Sequence, residues 1–177
     1  MKKSIIFLSL ALLAGTASAQ SFQKGDNIIN AGIGFGTNLG GLGNARPAIS
    51  ASFEHGTWDI GGPGVISLGG YVGNTGYSYK SAGYSQKWNY TIIGARSAYH
   101  YNGFKNLLNL DVYGGLMLSY NIANYSAENY SGSNSYGSDL GFSAYVGGRW
   151  FFSEKIGLYV ELGHGVSTIN AGVAFKL

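Results

Sequence analysis

Hydrophobic and polar residues alternate with a period of two along most of the chain, in segments separated by clusters of Gly, Asn and Ser. Such alternation predicts β-strands with one apolar and one polar face. In the most regular segment, Leu110 and Leu116 share one face while Asp111 and Tyr113 share the other. The fourth segment is the least regular, because Ile92 falls on its polar face. The pattern predicts eight strands, at residues 26–36, 47–56, 64–73, 87–101, 108–120, 140–152, 156–164 and 169–177.

Charged residues lie on the polar face of these strands, where their neighbours are mostly Gly, Ser, Ala and Tyr. The set is Glu54, Arg96, Asp111, Arg149 and Glu161. A strand in lipid turns its apolar face outward and its polar face into the barrel, and such barrels have an even strand number. Strands of about ten residues suit the thickness of a membrane. The sequence therefore predicts an all-β fold, an eight-stranded antiparallel up-and-down transmembrane β-barrel.

The five charged residues are predicted to form one layer inside the barrel. Each lies about four to six residues from a short turn, roughly 13–20 Å along its strand. From the fourth to the seventh strand their signs alternate, which favours pairing between neighbouring strands. Because eight strands enclose only enough space for side chains, the layer is interpreted as a structural plug. The alternative is a narrow ion path or a gated switch of salt bridges.

The connections differ in length and predict which way the barrel points. Those at 57–62, 102–106 and 153–155 are short or moderate, those at 37–46, 74–86 and 121–139 are longer, and 164–168 is short. Short periplasmic turns and longer outer loops are expected, with both termini in the periplasm. Tyrosine among small polar residues is typical of binding surfaces, although a solvated extension of the sheet is the alternative. The candidate loop contacts are Tyr77, Tyr79, Tyr84, Tyr125, Tyr130 and Tyr136.

The N-terminus has the three parts of an export signal. Lys2 and Lys3 precede an apolar run at 5–14, and small residues at 17–19 form a cleavage site. We therefore expect a signal peptide at 1–19 and one barrel domain at 20–177. Without the two lysines, nine basic residues face eight acidic ones, so the net charge is about +1 and predicts no nucleic-acid partner. The chain has no cysteine, so no disulfide stabilises it.

Several segments together resemble a known family. The runs "LDVYGGLMLSY", "AYVGGRWFF" and the terminal "NAGVAFKL", with the N-terminal signal, resemble the small outer-membrane β-barrel-domain proteins of Gram-negative envelopes, porin-like or OmpX- and OmpA-like in scale. The resemblance implies residence in the outer membrane, contact with outer-membrane lipid and lipopolysaccharide, and insertion by the barrel-assembly machinery. Val173, Phe175 and Leu177 would be the assembly signal that this machinery reads, with Leu rather than an aromatic residue in last place.

Catalytic chemistry has little support in the sequence. His164 and Ser167 are predicted to face outward near the outer rim, where a lipid-modifying enzyme could carry its site, but no acid accompanies them. His55 and His100 lack the spacing of metal ligands. We expect no cofactor and a non-enzymatic role, either envelope-structural or adhesion-like surface interaction through the outer loops with a ligand that the sequence does not specify. The alternatives are a narrow passive channel for very small solutes and, with less support, the enzyme.

Overall fold

The computed structural model describes residues 22–36, 44–81, 84–127, 134–135 and 138–177. Every strand pairing in this part of the chain is antiparallel, and the ring closes because β1 pairs with β9 and β4 with β5. The two-residue β6 pairs with β5 beyond the end of β7 and is not one of the eight strands that close the ring. The predicted closed eight-stranded barrel is therefore confirmed. The strands are β1 (Asn27–Phe35), β2 (Asn44–Asp59), β3 (Gly64–Ser81), β4 (Tyr84–Tyr101), β5 (Leu110–Ala127), β6 (Asn134–Ser135), β7 (Asp139–Phe151), β8 (Ile156–Gly163) and β9 (Ile169–Lys176).

Side chains alternate between the outer wall and the lumen as the period-two pattern predicts. Apolar residues such as Ile33, Leu118 and Val160 point outward and are each more than half exposed. The polar face points inward and is buried. Ile92 is the exception noted in the sequence: it lies in the lumen, 3% exposed, and packs with Met117. Among the described residues, no helix is long and apolar enough to span a membrane.

The two ends of the barrel are built differently. The start of β1 and the end of β9 lie at one end, together with the connections at 60–63, 102–109 and 152–155; we call it the terminal end. The opposite end, where β3 turns into β4, is called the hairpin end. Backbone hydrogen bonds at the terminal end join Gly25 N to Gly56 O (2.8 Å) and Leu177 N to Asn27 O (3.0 Å). The segment directly before β1 and the residue after β9 are thereby held to the barrel.

Four strands are longer than predicted. β2 has 16 residues, β3, β4 and β5 have 18 each, and β3 pairs with β4 from Gly64–Tyr101 to Ser81–Tyr84. The predicted loop at 74–86 is therefore mostly a hairpin, and residues 121–127 of the predicted loop at 121–139 extend β5. The prediction was wrong because a strand beyond the apolar belt meets water on both faces, which removes the alternation on which it relied. Residues 37–43 of the remaining long loop lie outside the described chain.

The hairpin end is consequently asymmetric. Residues 75–81 of β3, 84–91 of β4 and 121–127 of β5 form a raised sheet, which we call the hairpin wall. On the opposite side, β1, β8 and β9 have only eight or nine residues. The turn at 164–168 between β8 and β9 folds into the mouth of the barrel, because Val166 within it is fully buried. At the mouth of the barrel, the strands therefore extend much further on the side of β3, β4 and β5 than on the side of β1, β8 and β9.

Candidate functional site

The structure brings all five predicted lumen charges into one buried network. Arg149 donates hydrogen bonds to Glu54 and, through Nη1, to Asp111 Oδ2 at 2.8 Å. Arg96 Nη2 lies 2.6 Å from Glu161 Oε2, and Arg96 Nε lies 3.0 Å from Glu54 Oε1. Glu54 therefore links the two arginines. Each charge needs such a partner, because an unpaired ion is costly to remove from water.

The pairs differ from the predicted alternation between neighbouring strands. Only Asp111 and Arg149 are direct cross-strand partners. Glu54 and Arg96 lie on β2 and β4, on either side of Gly69 in β3, and their side chains meet above that glycine. A Cβ at Gly69 would lie 2.9 Å from the backbone carbonyl carbon of Phe53. Because the lumen is narrow, a long side chain can contact a residue on a non-adjacent strand as readily as one on the adjacent strand. Strand order alone therefore does not determine the pairs.

Two tyrosines pack directly against the arginines. The guanidinium carbon of Arg96 lies 3.8 Å from the ring centroid of Tyr145, and that of Arg149 lies 4.2 Å from the centroid of Tyr113. Such cation–π contacts are strongest where water is excluded. Glycine provides the space for the rings, since a Cβ at Gly147 would lie 2.6 Å from Tyr113 Cζ. The network is thus a tightly packed layer and not an open ring of charge.

His100 is a sixth member that the sequence reasoning missed. Its Nδ1 lies 2.9 Å from Asp111 Oδ1 and its Nε2 lies 3.0 Å from Ser67 Oγ, and the ring is fully buried. Its alternation with Arg96 on the same face of β4 was the available signal. To the three carboxylates and two guanidinium groups of the network, His100 adds an imidazole within hydrogen-bond distance of Asp111 and Ser67. Within the described residues no group of three or more His, Cys, Asp or Glu could hold a metal ion.

The terminal end of the lumen is closed by a residue that precedes the first strand. Phe22 is fully buried, and its ring stacks on His100 at a centroid distance of 4.0 Å. Its carbonyl oxygen accepts a hydrogen bond from Asn102 Nδ2 at 2.6 Å. It belongs to an apolar cluster with Ile28 and Phe151. Strand periodicity could not find this residue, because Phe22 lies outside the periodic segment.

The hairpin end of the lumen is closed by the turn at 164–168, which we call the lid. Val166 packs with Tyr71 and Met117, and a Cβ at Gly73 would lie 2.9 Å from Val166 Cβ. The prediction that Ser167 faces outward was wrong: it is 8% exposed, whereas His164 is exposed. Strand parity does not continue through a turn, which explains the error.

Beneath the lid lies a cavity of about 20 Å³, lined in part by Arg96, Glu161, Ser167 and Asn170. The buried Oγ of Ser167 and Oδ1 of Asn170 have no hydrogen-bond partner among the described residues. A polar space of this size holds about one water molecule. Between Phe22 and the lid, the lumen therefore contains side chains and space for about one water at this position.

The hairpin wall carries the tyrosines whose side chains are described. Tyr77 stacks on Trp88 with ring centroids 4.5 Å apart and planes 10° apart, and Trp88 contacts Tyr125 at 5.0 Å. The three residues are direct partners in the sheet register. Tyr79 is exposed. Trp88 was not among the predicted contacts. Of the others, the side chain of Tyr84 and the whole of Tyr130 and Tyr136 lie outside the described residues.

The two faces of the hairpin wall differ in charge. Its lumen-side positions carry aromatic, amide, hydroxyl and small side chains. No residue at these lumen-side positions of β3, β4 and β5 is charged. The outer face carries Lys87, and Arg46 of the neighbouring strand β2 lies beside it as the register partner of Gly76. Arg46 donates to Asn74 Oδ1, and Asn74 Nδ2 donates to Asn89 Oδ1 at 2.6 Å and to Thr91 Oγ1 at 2.8 Å. An uncharged aromatic surface therefore faces the mouth of the barrel, and a basic, amide-rich surface faces away from it.

The proposed assembly signal lies at the terminal end. Val173 and Phe175 are on the outward face of β9, and Leu177 follows the strand with 69% exposure. Its role as a recognition signal stays a prediction.

A closed barrel with an apolar outer wall and a filled polar lumen defines a class, the small outer-membrane β-barrels, and the chain has their fold. It is similar to Ail, the attachment invasion locus protein of Yersinia pestis, in complex with the heparin analogue sucrose octasulfate: 12% identity, TM-score 0.55, covering 87% of this chain and 96% of that chain. It is also similar to the N-terminal β-barrel domain of Pseudomonas aeruginosa OprF: 14% identity, TM-score 0.51, covering 88% and 100%. No family model and no curated protein matches the sequence.

Proposed function

We propose that the chain is a non-enzymatic outer-membrane barrel that acts by surface contact through its hairpin wall. Export would use the signal at 1–19, insertion would use the barrel-assembly machinery and the 173–177 segment, and the wall would stand above the lipopolysaccharide leaflet. The observation that carries the proposal is the contrast between a lumen closed by Phe22, the ion network and Val166 and a wall that exposes aromatic rings.

The chemistry of the wall supports an uncharged ligand. Ail was solved with a heparin analogue, and a sulfated ligand requires cations, whereas the lumen-side face of this wall carries none among its described residues. Aromatic rings and amides instead suit the apolar faces and hydroxyls of a neutral glycan, or a peptide of low charge. The wall with Tyr77, Trp88 and Tyr125 would provide the contact area.

The passive channel is the second candidate, and conductance separates it from surface contact. The purified full chain is reconstituted in planar bilayers, and no sustained current is expected. Val166→Gly should also be silent, because the network of Arg96 and Arg149 below the lid remains in place. A sustained current through the unmodified protein would overturn the closed-lumen proposal. The enzyme has weaker support, since Ser167 Oγ is buried without a hydrogen-bonding base among the described residues.

Surface contact is tested by displaying the full chain on bacteria that do not adhere by themselves. Retention is measured on beads coated with a neutral glycan or with heparin. We expect retention on the neutral glycan and a several-fold loss in Trp88→Ala, while Lys87→Gln on the outer face serves as the matched control and changes nothing. Preference for heparin that is lost in Lys87→Gln would assign binding to the outer face, and no retention on either surface would contradict adhesion.

A further inference from the structure

The outward wall of the barrel contains a groove that begins near the terminal ends of β4 and β5 and extends across β7 to β8. It spans four adjacent strands, β4, β5, β7 and β8, and has a volume of about 540 Å³, within the range of small-molecule sites. Two rows of register partners form it. The first is Tyr99, Gly114, Val146 and Leu162, and the second is Tyr101, Val112, Gly148 and Val160. The outward-facing side chains lining it include no charged group.

Packing inside the barrel does not require the two glycines that create the groove. A Cβ at Gly114 would have its nearest neighbour at 3.5 Å, and one at Gly148 at 3.8 Å, which are ordinary contacts. The adjacent Gly147 faces the lumen, and there a Cβ would lie 2.6 Å from Tyr113. Larger side chains would therefore fit at Gly114 and Gly148, where they would extend the apolar wall. Their absence leaves a depression on a surface that is otherwise lined by aliphatic side chains.

The two aromatic rings at the edge of the groove do not cover it. Tyr99 lies over Gly64, where a Cβ would be 2.7 Å from the ring carbon Cζ. Tyr101 packs edge-on against Phe104 at 5.0 Å. Both partners lie nearer the terminal end than Gly114 does, so the rings are turned toward that end. Tyrosines in this position place their hydroxyls at the level of lipid headgroups.

The extent of the groove favours a single hydrocarbon chain over a protein partner. Four strands span roughly 14 Å and two rows of residues add roughly 7–14 Å, so the groove covers on the order of 100–200 Å² of wall. A stable protein interface needs about 800 Å² from each partner. An apolar depression of this size within the lipid-facing belt fits part of one acyl chain.

We propose that this groove binds one acyl chain of a phospholipid from the leaflet at the terminal end, with Tyr99 and Tyr101 at headgroup level. The inference rests on the proposed membrane function, in which that leaflet is the periplasmic one. Binding holds one lipid at a fixed position on the wall, whereas lipids elsewhere exchange along a convex surface.

The test uses the full chain folded into vesicles of phosphatidylethanolamine and phosphatidylglycerol, with a small fraction of phosphatidylcholine that carries a diazirine in one acyl chain. After irradiation, labelled peptides are mapped by mass spectrometry. We expect several-fold more label on residues 110–114 and 144–150 than on the wall formed by β1 and β2. The double substitution Gly114→Leu and Gly148→Leu should reduce this label to the average over the lipid-facing surface of the barrel. Gly70→Leu, an outward glycine outside the groove, is the matched control and should preserve it.

The outcomes separate this inference from the membrane function. Heat-modifiable migration and protease protection first report whether each variant has inserted, and failure of the unmodified chain to insert would contradict the membrane function itself. Uniform labelling of the inserted chain would overturn the groove alone. Labelling that persists in the Gly114→Leu, Gly148→Leu variant would also overturn it. A dimer that native mass spectrometry detects without irradiation, and that this double variant loses, would overturn it as well. If the double variant fails to insert, Gly114→Leu alone replaces it, and the peptide map of the unmodified chain decides independently.

Discussion

The lumen network and the hairpin wall share the inward face of β4 and β5, yet they differ in chemistry. Inside the barrel, Arg96 on β4 is surrounded by partners and 3% exposed. Eight residues earlier on the same strand, Trp88 stacks on Tyr77 and is half-buried. The lumen excludes water, so each ion there must be paired. The hairpin wall is accessible to solvent, so its side chains need no buried partner and can contact other molecules. The inward face of these strands therefore serves two purposes, one below the lid and one above it.

The largest effect is expected from breaking the network. Arg149→Met removes one cation that pairs with both Glu54 and Asp111 and leaves buried carboxylates with too few cations, which should lower the free energy of unfolding by about 3–5 kcal/mol. Urea unfolding in lipid vesicles, followed by tryptophan fluorescence, measures it. Lys87→Met on the outer face of the wall is the control and should leave the midpoint unchanged. A loss in Arg149→Met no larger than in the control would mean that the network does not stabilise the barrel.

A smaller effect is expected from two adjacent glycines on opposite faces of β3. Gly69→Ala places a methyl group against the backbone of β2 beneath the Glu54–Arg96 pair and should cost about 1–3 kcal/mol. Gly70→Ala points outward, with its nearest atom at 3.8 Å, and should be close to neutral. The same unfolding assay compares them. Equal stability of the two variants would show that the network tolerates displacement.

The wall should respond locally where the lumen responds globally. The Tyr77–Trp88 stack is expected to contribute about 0.5–1.5 kcal/mol beyond its buried area. A double-mutant cycle of Tyr77→Ala and Trp88→Ala, read by hydrogen exchange of residues 75–90, isolates this coupling. Exchange in the wall should accelerate while the barrel midpoint stays fixed. Unfolding of the whole barrel in either single variant would erase the distinction between the two regions.

The smallest effect is expected at the ion pair between Lys176 Nζ and Asp26 Oδ2, 2.6 Å apart at the terminal end. Unlike the network, it is partly exposed, so Asp26→Asn should cost only about 0.2–1 kcal/mol. Raising the salt concentration should reduce the difference further, because water and ions screen the pair. Measurement is by the same urea titration at two salt concentrations. A cost comparable to that of Arg149→Met would show that exposure does not set the value of these pairs.

The sequence predicted the barrel because lipid imposes a strict alternation on every strand that crosses it. It also placed Glu54, Arg96, Asp111, Arg149 and Glu161 on one face. It did not predict which of them pair, since that depends on distances across the lumen. The sequence did not predict the full length of β3, β4 and β5, because strand segments that meet water on both faces have no apolar face. Phe22 and Val166 could not be assigned and Ser167 was assigned to the wrong face, because all three lie in segments without periodicity that fold into the barrel from its two ends.

The two stoppers of the lumen depend on the same seam. Phe22 lies before β1 and Val166 lies before β9, and β1 and β9 pair with each other to close the ring. Before β1 and β9 pair, we expect neither Phe22 nor Val166 to be fixed in place, so water reaches the arginines and carboxylates. Once β1 and β9 pair, Phe22 and Val166 close the two ends of the lumen. We therefore expect the pairing of β1 with β9 to seal both ends of the lumen, and the ion pairs to strengthen as water is excluded from it.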